Sequence, residues 1–80
     1  MTVKDMVAKR IRVLCQERRI TPNELANISG VTPSTVYSLL DDRRRDVSIL
    51  TIKKLCDGFE ITLGSFFSTP EFDALEQELV

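Results

Sequence analysis

Two groups of residues in this 80-residue chain carry side chains whose type and spacing suit chemistry on a partner. The first is a hydroxyl-rich stretch: Thr32, Ser34, Thr35, Tyr37 and Ser38, with Pro33 among them. Hydroxyls donate and accept, so they suit base edges, sugars or phosphates with little discrimination. The second is the run Arg43, Arg44 and Arg45, flanked by Asp41, Asp42 and Asp46. Successive guanidinium groups fit anionic oxygens, phosphate above all, while the flanking carboxylates can compensate them locally.

Covalent chemistry is poorly supplied. The chain has no histidine, which removes the usual metal ligand, the usual general base and every Ser-His or Cys-His arrangement. Cys15 and Cys56 stand alone on apolar helical stripes and read as small core residues; no CxxC or ligand cluster surrounds them. No glycine-rich phosphate loop appears. The sequence therefore predicts no enzyme, no metal and no cofactor.

The elements that must position the two groups lie just before and between them. Residues 21–40, TPNELANISGVTPSTVYSLL, read as two short helices joined by a tight turn. Thr21 suits a cap, Pro22 the first helical position, and Glu24 the reciprocal capping position. Thr32 and Pro33 repeat the signal. Gly30 falls between, where one helix ends and the chain must turn at positive φ. Ala26 sits where closely crossing helices leave no room for a larger side chain, and Val36 faces back into the protein. This spacing predicts a helix-turn-helix whose second helix is offered to a DNA major groove. The rival reading of the spacing is a plain helical hairpin in an all-α domain.

Net charge is −1, which by itself does not suggest a nucleic-acid partner, but the charge is segregated. Residues 1–54 hold all 11 basic residues and sum to +5; residues 55–80 hold none and sum to −6. One part of the chain can face phosphates while the other faces away. No apolar run approaches the roughly 18 residues of a membrane span. The first ten residues are amphipathic rather than signal-like, which predicts a cytoplasmic location.

In chain order, a first helix is expected over residues 2–19. Val3, Met6, Val7, Ile11, Leu14 and Cys15 make its apolar stripe, and Lys4, Lys9, Arg10, Arg12, Arg18 and Arg19 lie mostly off it. Those bases read as a solubilising face, from which a few could approach a DNA backbone; the sequence singles out none of them. Helix 2 is expected over residues 22–28, with Leu25, Ala26 and Ile28 inward and Asn23 at a phosphate-facing N-terminus. Helix 3 is expected over residues 33–40, with Val36, Leu39 and Leu40 inward. Helix 4 follows over residues 49–57, capped by Ser48 or Asp46. Ile49, Ile52, Leu55, Cys56 and Phe59 form its series, and Gly58 ends it. Helix 5 is expected over residues 63–67 behind Thr62. A sixth segment follows Pro70, capped by Ser68 or Thr69. Phe72, Leu75 and Leu79 make a stripe there that the domain itself or a second subunit would cover; with neither, the tail frays.

From residue 20 to residue 67 the chain resembles the phage repressor and Cro type of helix-turn-helix, often called the XRE family. The family pattern T-x-x-E-L-A, G-V-[ST] and S-T-[IV], followed by a serine-capped helix, reads here as TPNELA, GVT, STV and SILTIKKLCDGFEITLGSFF. The resemblance implies an all-α, compact five-helix, lambda-repressor-like domain over residues 1–68, with an acidic helical extension over residues 69–80. It also implies a transcriptional regulator, commonly a homodimer on two-fold double-stranded DNA. Carried over by position, base contacts fall on Pro33, Ser34, Tyr37 and Ser38. Thr32 and Thr35 lie near the DNA backbone, and Asn23, Arg43, Arg44 and Arg45 serve phosphates. Two positions depart from the family. Pro22 stands where glutamine is frequent, and Cys15 and Leu40 stand where an arginine–acid pair often links helix 1 to the end of helix 3.

The expectation is thus a sequence-specific DNA-binding regulator, a repressor that blocks polymerase from an operator. The alternative is an antitoxin-like or other protein-interaction module built on the same domain.

Overall fold

Each described helix starts behind a hydroxyl. The computed structural model describes residues 1–44 and 46–77. They form α1 (Val3–Arg18), α2 (Pro22–Ser29), α3 (Pro33–Leu40), α4 (Ile49–Phe59), α5 (Leu63–Phe67) and α6 (Pro70–Asp73). The N-caps are Thr2, Thr21, Thr32, Ser48, Thr62 and Thr69, each accepting from a backbone N–H one turn ahead. A free helix N-terminus leaves such donors unpaired, so each cap satisfies one of them. Asp5 and Glu24 complete capping boxes on α1 and α2. Bonding to the Thr2 backbone holds the Asp5 carboxyl below its ordinary range.

The core is one cluster drawn from five helices. Val7, Ile11, Leu14 and Cys15 come from α1, Leu25 and Ala26 from α2, and Val36 and Leu39 from α3. Ile52, Leu55, Cys56 and Phe59 come from α4, and Phe66 from α5. Both cysteines are buried, and burial pushes both thiols up from their ordinary value. Such thiols are poor nucleophiles. Phe72 of α6 packs onto this same core, its ring 4.9 Å from that of Phe67. Part of the C-terminal apolar stripe therefore closes on its own domain; Leu79 lies outside the described residues.

Several expectations need correction. Gly58 does not end α4. The helix continues to Phe59 and ends on Glu60, left-handed at φ 60°. Gly58 instead lies where α2 comes closest, and a Cβ there would stand 2.2 Å from Ser29 Oγ and 3.3 Å from Ser29 Cα. Ile28 is not inward but 56% exposed, because α2 buries the face of Leu25 and Ala26. Ile49 and Leu50 are each 61% exposed: the α4 series is buried from Ile52 onward, and the first turn lies beyond it. Val3 is exposed for the matching reason at the start of α1.

The bases of α1 are not simply a solubilising face. Four of them donate to carbonyls at the C-termini of other helices. Lys4 Nζ reaches Asp41 O at 2.7 Å and Arg12 Nη2 reaches Leu40 O at 2.9 Å, both at the end of α3. Arg10 Nε reaches Phe66 O at 2.9 Å and its Nη2 reaches Ser65 O at 3.2 Å, at the end of α5. Arg18 donates to Phe59 O at the end of α4 and lies over the Phe59 ring. The last carbonyls of a helix lack intrahelical donors and carry its negative pole, so cations there are favoured on both counts.

Candidate nucleic-acid interface

The turn between α2 and α3 is built as its residues require. Gly30 is left-handed at φ 72°, and its N–H and that of Val31 return to α2 carbonyls. Ala26 is buried at the crossing of the two helices, and Val36 is fully buried beneath α3. With Val36 and Leu39 facing inward, α3 turns its other side to solvent. Pro33 and Ser34 are exposed, Tyr37 is 50% exposed and Ser38 is half-buried. Helical spacing groups these four with Asp41; the four keep a solvent-facing side, whereas Asp41 is half-buried and its carbonyl accepts from Lys4.

The hydroxyls at the start of α3 bond to one another. Thr32 Oγ1 accepts from Thr35 N–H at 3.3 Å and shares hydrogens with Ser34 Oγ at 3.1 Å and Thr35 Oγ1 at 2.9 Å. Thr32 is thus a cap first. Its two lone pairs leave little capacity for an outside donor, whereas Ser34 and Thr35 keep acceptor capacity outward. Asn23 is exposed in the first turn of α2. There the N-terminus presents backbone donors and the positive pole of the helix dipole.

The loop after α3 is less free than its sequence implies. Arg43 is folded back on Asp41. Its Nε and Nη2 donate to the two carboxylate oxygens at 3.1 Å each, and its backbone N–H donates to Oδ1 at 3.0 Å. These bonds hold the Asp41 carboxyl well below its ordinary value, at about 2, and raise the Arg43 guanidinium. Arg44 is exposed, and its charge adds to the lowering of the Asp41 carboxyl. Arg45 lies outside the described residues.

The α1–α3 junction follows the departure seen in the sequence. Cys15 is buried and Leu40 packs against the core. The structure adds what the sequence missed: Lys4 and Arg12 hold the last carbonyls of α3. No sequence signal marked them, because their acceptors are backbone atoms far along the chain.

Two helices joined through a left-handed glycine, the second apolar beneath and hydroxylic above, define a helix-turn-helix protein. Residues 10–71 match the Cro/C1-type HTH DNA-binding domain, and the chain belongs to that family. It is a DNA-binding regulator of the phage repressor and Cro type. The crystal structure of the prophage Lp1 protein 11 is similar in fold, with a TM-score of 0.83 and 27% identity. The likeness covers 94% of this chain and 99% of that one. No curated protein matches the sequence. No helix among the described residues is long and apolar enough to cross a membrane.

Proposed function

We propose that the protein is a sequence-specific transcriptional repressor acting in the cytoplasm as a homodimer on a two-fold operator. The observation that carries this reading is the two-sided α3: Val36 and Leu39 are buried, while Ser34 and Tyr37 face outward. In the reading, α3 enters the major groove with Pro33, Ser34, Tyr37 and Ser38 toward the bases. Thr32, Thr35 and Asn23 lie against the DNA backbone, Arg44 and Arg45 stand over flanking phosphates, and Arg43 joins them only when its bonds to Asp41 open. Residues 1–68 form the binding domain, and residues 69–80 extend it. Serine contacts accept several bases, so part of the specificity comes from DNA shape and from half-sites about one helical turn apart. Repression follows by occlusion of the promoter.

The test is selection of bound duplexes from a random pool, followed by light scattering of the protein with and without the selected duplex. An enriched two-fold sequence bound by two copies is expected. Enrichment of no sequence, or a stoichiometric protein partner in place of DNA, overturns the reading.

A further inference from the structure

Lys4 is the one buried charged residue among the described residues, at 3% exposure. An ammonium removed from water is costly unless it is bonded, so its bond to Asp41 O at 2.7 Å defines its place. Arg12 bonds the preceding carbonyl, Leu40 O. These two carbonyls end α3, which, unlike the other helices of eight residues or more, does not stop on a left-handed residue. The helices α1, α2 and α4 stop on left-handed residues, Arg19, Gly30 and Glu60. By contrast α3 leaves on Asp41 in an extended conformation, φ −78° and ψ 116°.

An eight-residue helix is too short to hold itself, so its direction is set by what holds its ends. Thr32 caps the start. The end is held from α1, by two cations that attract both the free carbonyls and the negative pole of the helix. The residue that Lys4 grips by its carbonyl also grips Arg43 by its carboxylate. Lys4 and Arg12 together thus hold the end of α3, and Lys4 also holds the residue from which the arginine loop begins.

Resting on the reading of α3 as the helix in the groove, we infer that Lys4, seconded by Arg12, is a positioning residue for base readout. It aims α3 without touching DNA. Phosphate contacts tolerate a small change of tilt because charges act at a distance, whereas short serine hydroxyls do not. Loss of Lys4 therefore lowers affinity for the selected sequence more than affinity for random duplex.

The test compares Lys4→Met, which removes the bond and keeps the bulk, with Arg10→Met, which removes an equivalent grip on α5. Affinities for the selected and a scrambled duplex are measured across salt concentrations, with melting curves for each variant. For Lys4→Met the ratio of selected to scrambled affinity is expected to fall about tenfold, the scale of one charge-assisted hydrogen bond, with the salt slope unchanged. Arg10→Met should lose thermal stability and keep the ratio. An unchanged ratio in Lys4→Met, or an equal fall in both variants, overturns the inference. So does a salt slope reduced by about one unit, which marks a direct phosphate contact. If Lys4→Met does not fold, Arg12→Gln must lower the same ratio with the slope unchanged, and an intact ratio there overturns it. Absence of DNA binding by the wild type would instead sink the function proposed above.

Discussion

Ser29 lays its hydroxyl in the space that a side chain at Gly58 would occupy. Its Oγ is buried and has no hydrogen-bond partner among the described residues. The contact locks the end of α2 against α4, and α2 is the helix that α3 leans on. A buried hydroxyl without a partner costs about 1–3 kcal/mol, so this serine stands there for shape at the expense of stability.

Gly58→Ala is therefore expected to destabilise the fold by about 1–3 kcal/mol through overpacking. Ser29→Ala alone should leave stability unchanged or raise it, because an orphaned donor disappears. In the Ser29→Ala background the cost of Gly58→Ala should shrink, since the closest clash is the hydroxyl oxygen. Urea unfolding of the four proteins gives the coupling. Strict additivity would show that the two helices do not meet there.

Gly30 presents the opposite case. Among the described residues, nothing beyond its chain neighbours lies within 4 Å of where a Cβ on it would stand, but its φ is 72°. Gly30→Val should lose at least about 1 kcal/mol to backbone strain alone, and Gly30→Asn markedly less, since asparagine tolerates left-handed backbone. Equal melting temperatures for the two variants would place the turn elsewhere.

Ser34 and Ser38 lie four apart on the outer side of α3. Replacing either with alanine should cost about 1 kcal/mol of operator affinity and change preference at one or two base pairs per half-site. Ser38→Gln should create a new preference for adenine worth about 1–3 kcal/mol. Sequence selection on each variant reads both effects. Identical preferences throughout, at undiminished affinity, would mean that α3 is not the reading helix.

Asp41→Asn should tighten binding to random duplex, because Arg43 loses its carboxylate partner and becomes available to phosphate. The slope of log K against log salt should steepen by about one unit. The pH dependence has a fixed sign. A carboxyl lowered to about 2 favours the folded pair at any pH above its ordinary value of 3.8, and that contribution fades as pH falls toward 2. Near neutral pH the pairing is therefore constant, and wild-type salt slopes should not vary with pH on its account. An unaltered slope in Asp41→Asn would show that Arg43 faces away from DNA.

The sequence disclosed the starts of helices better than their ends or their neighbours. Residues 33–40 and 63–67 were placed at their observed bounds because Thr32-Pro33 and Thr62 act within one turn of themselves. The outer face of α3 was legible for the same reason, since its burial follows from spacing around Val36 and Leu39. Gly58 was misread because a glycine signals either a stop or a close approach. Only Ser29, distant in the chain, decides between them. Ile28 and Ile49 show that apolar spacing gives a face but not the extent of the neighbour that covers it. Lys4, Arg10, Arg12 and Arg18 looked like solvated charge because their partners are carbonyls, which every residue has. The pairing of Arg43 with Asp41 lay in plain sight, but three carboxylates competed for the assignment.

The helices of this protein begin locally, and three of them end on bonds from a fourth. Each start is set by its own threonine or serine, whereas the ends of α3, α4 and α5 are held by cations of α1. Detaching α1 would thus loosen three helix termini at once. Cooperativity follows: a state lacking α1 yet retaining an aimed α3 has little reason to be populated. In native-state hydrogen exchange, the closing turns of α3, α4 and α5 should then open together with α1, as one unit with the free energy of global unfolding.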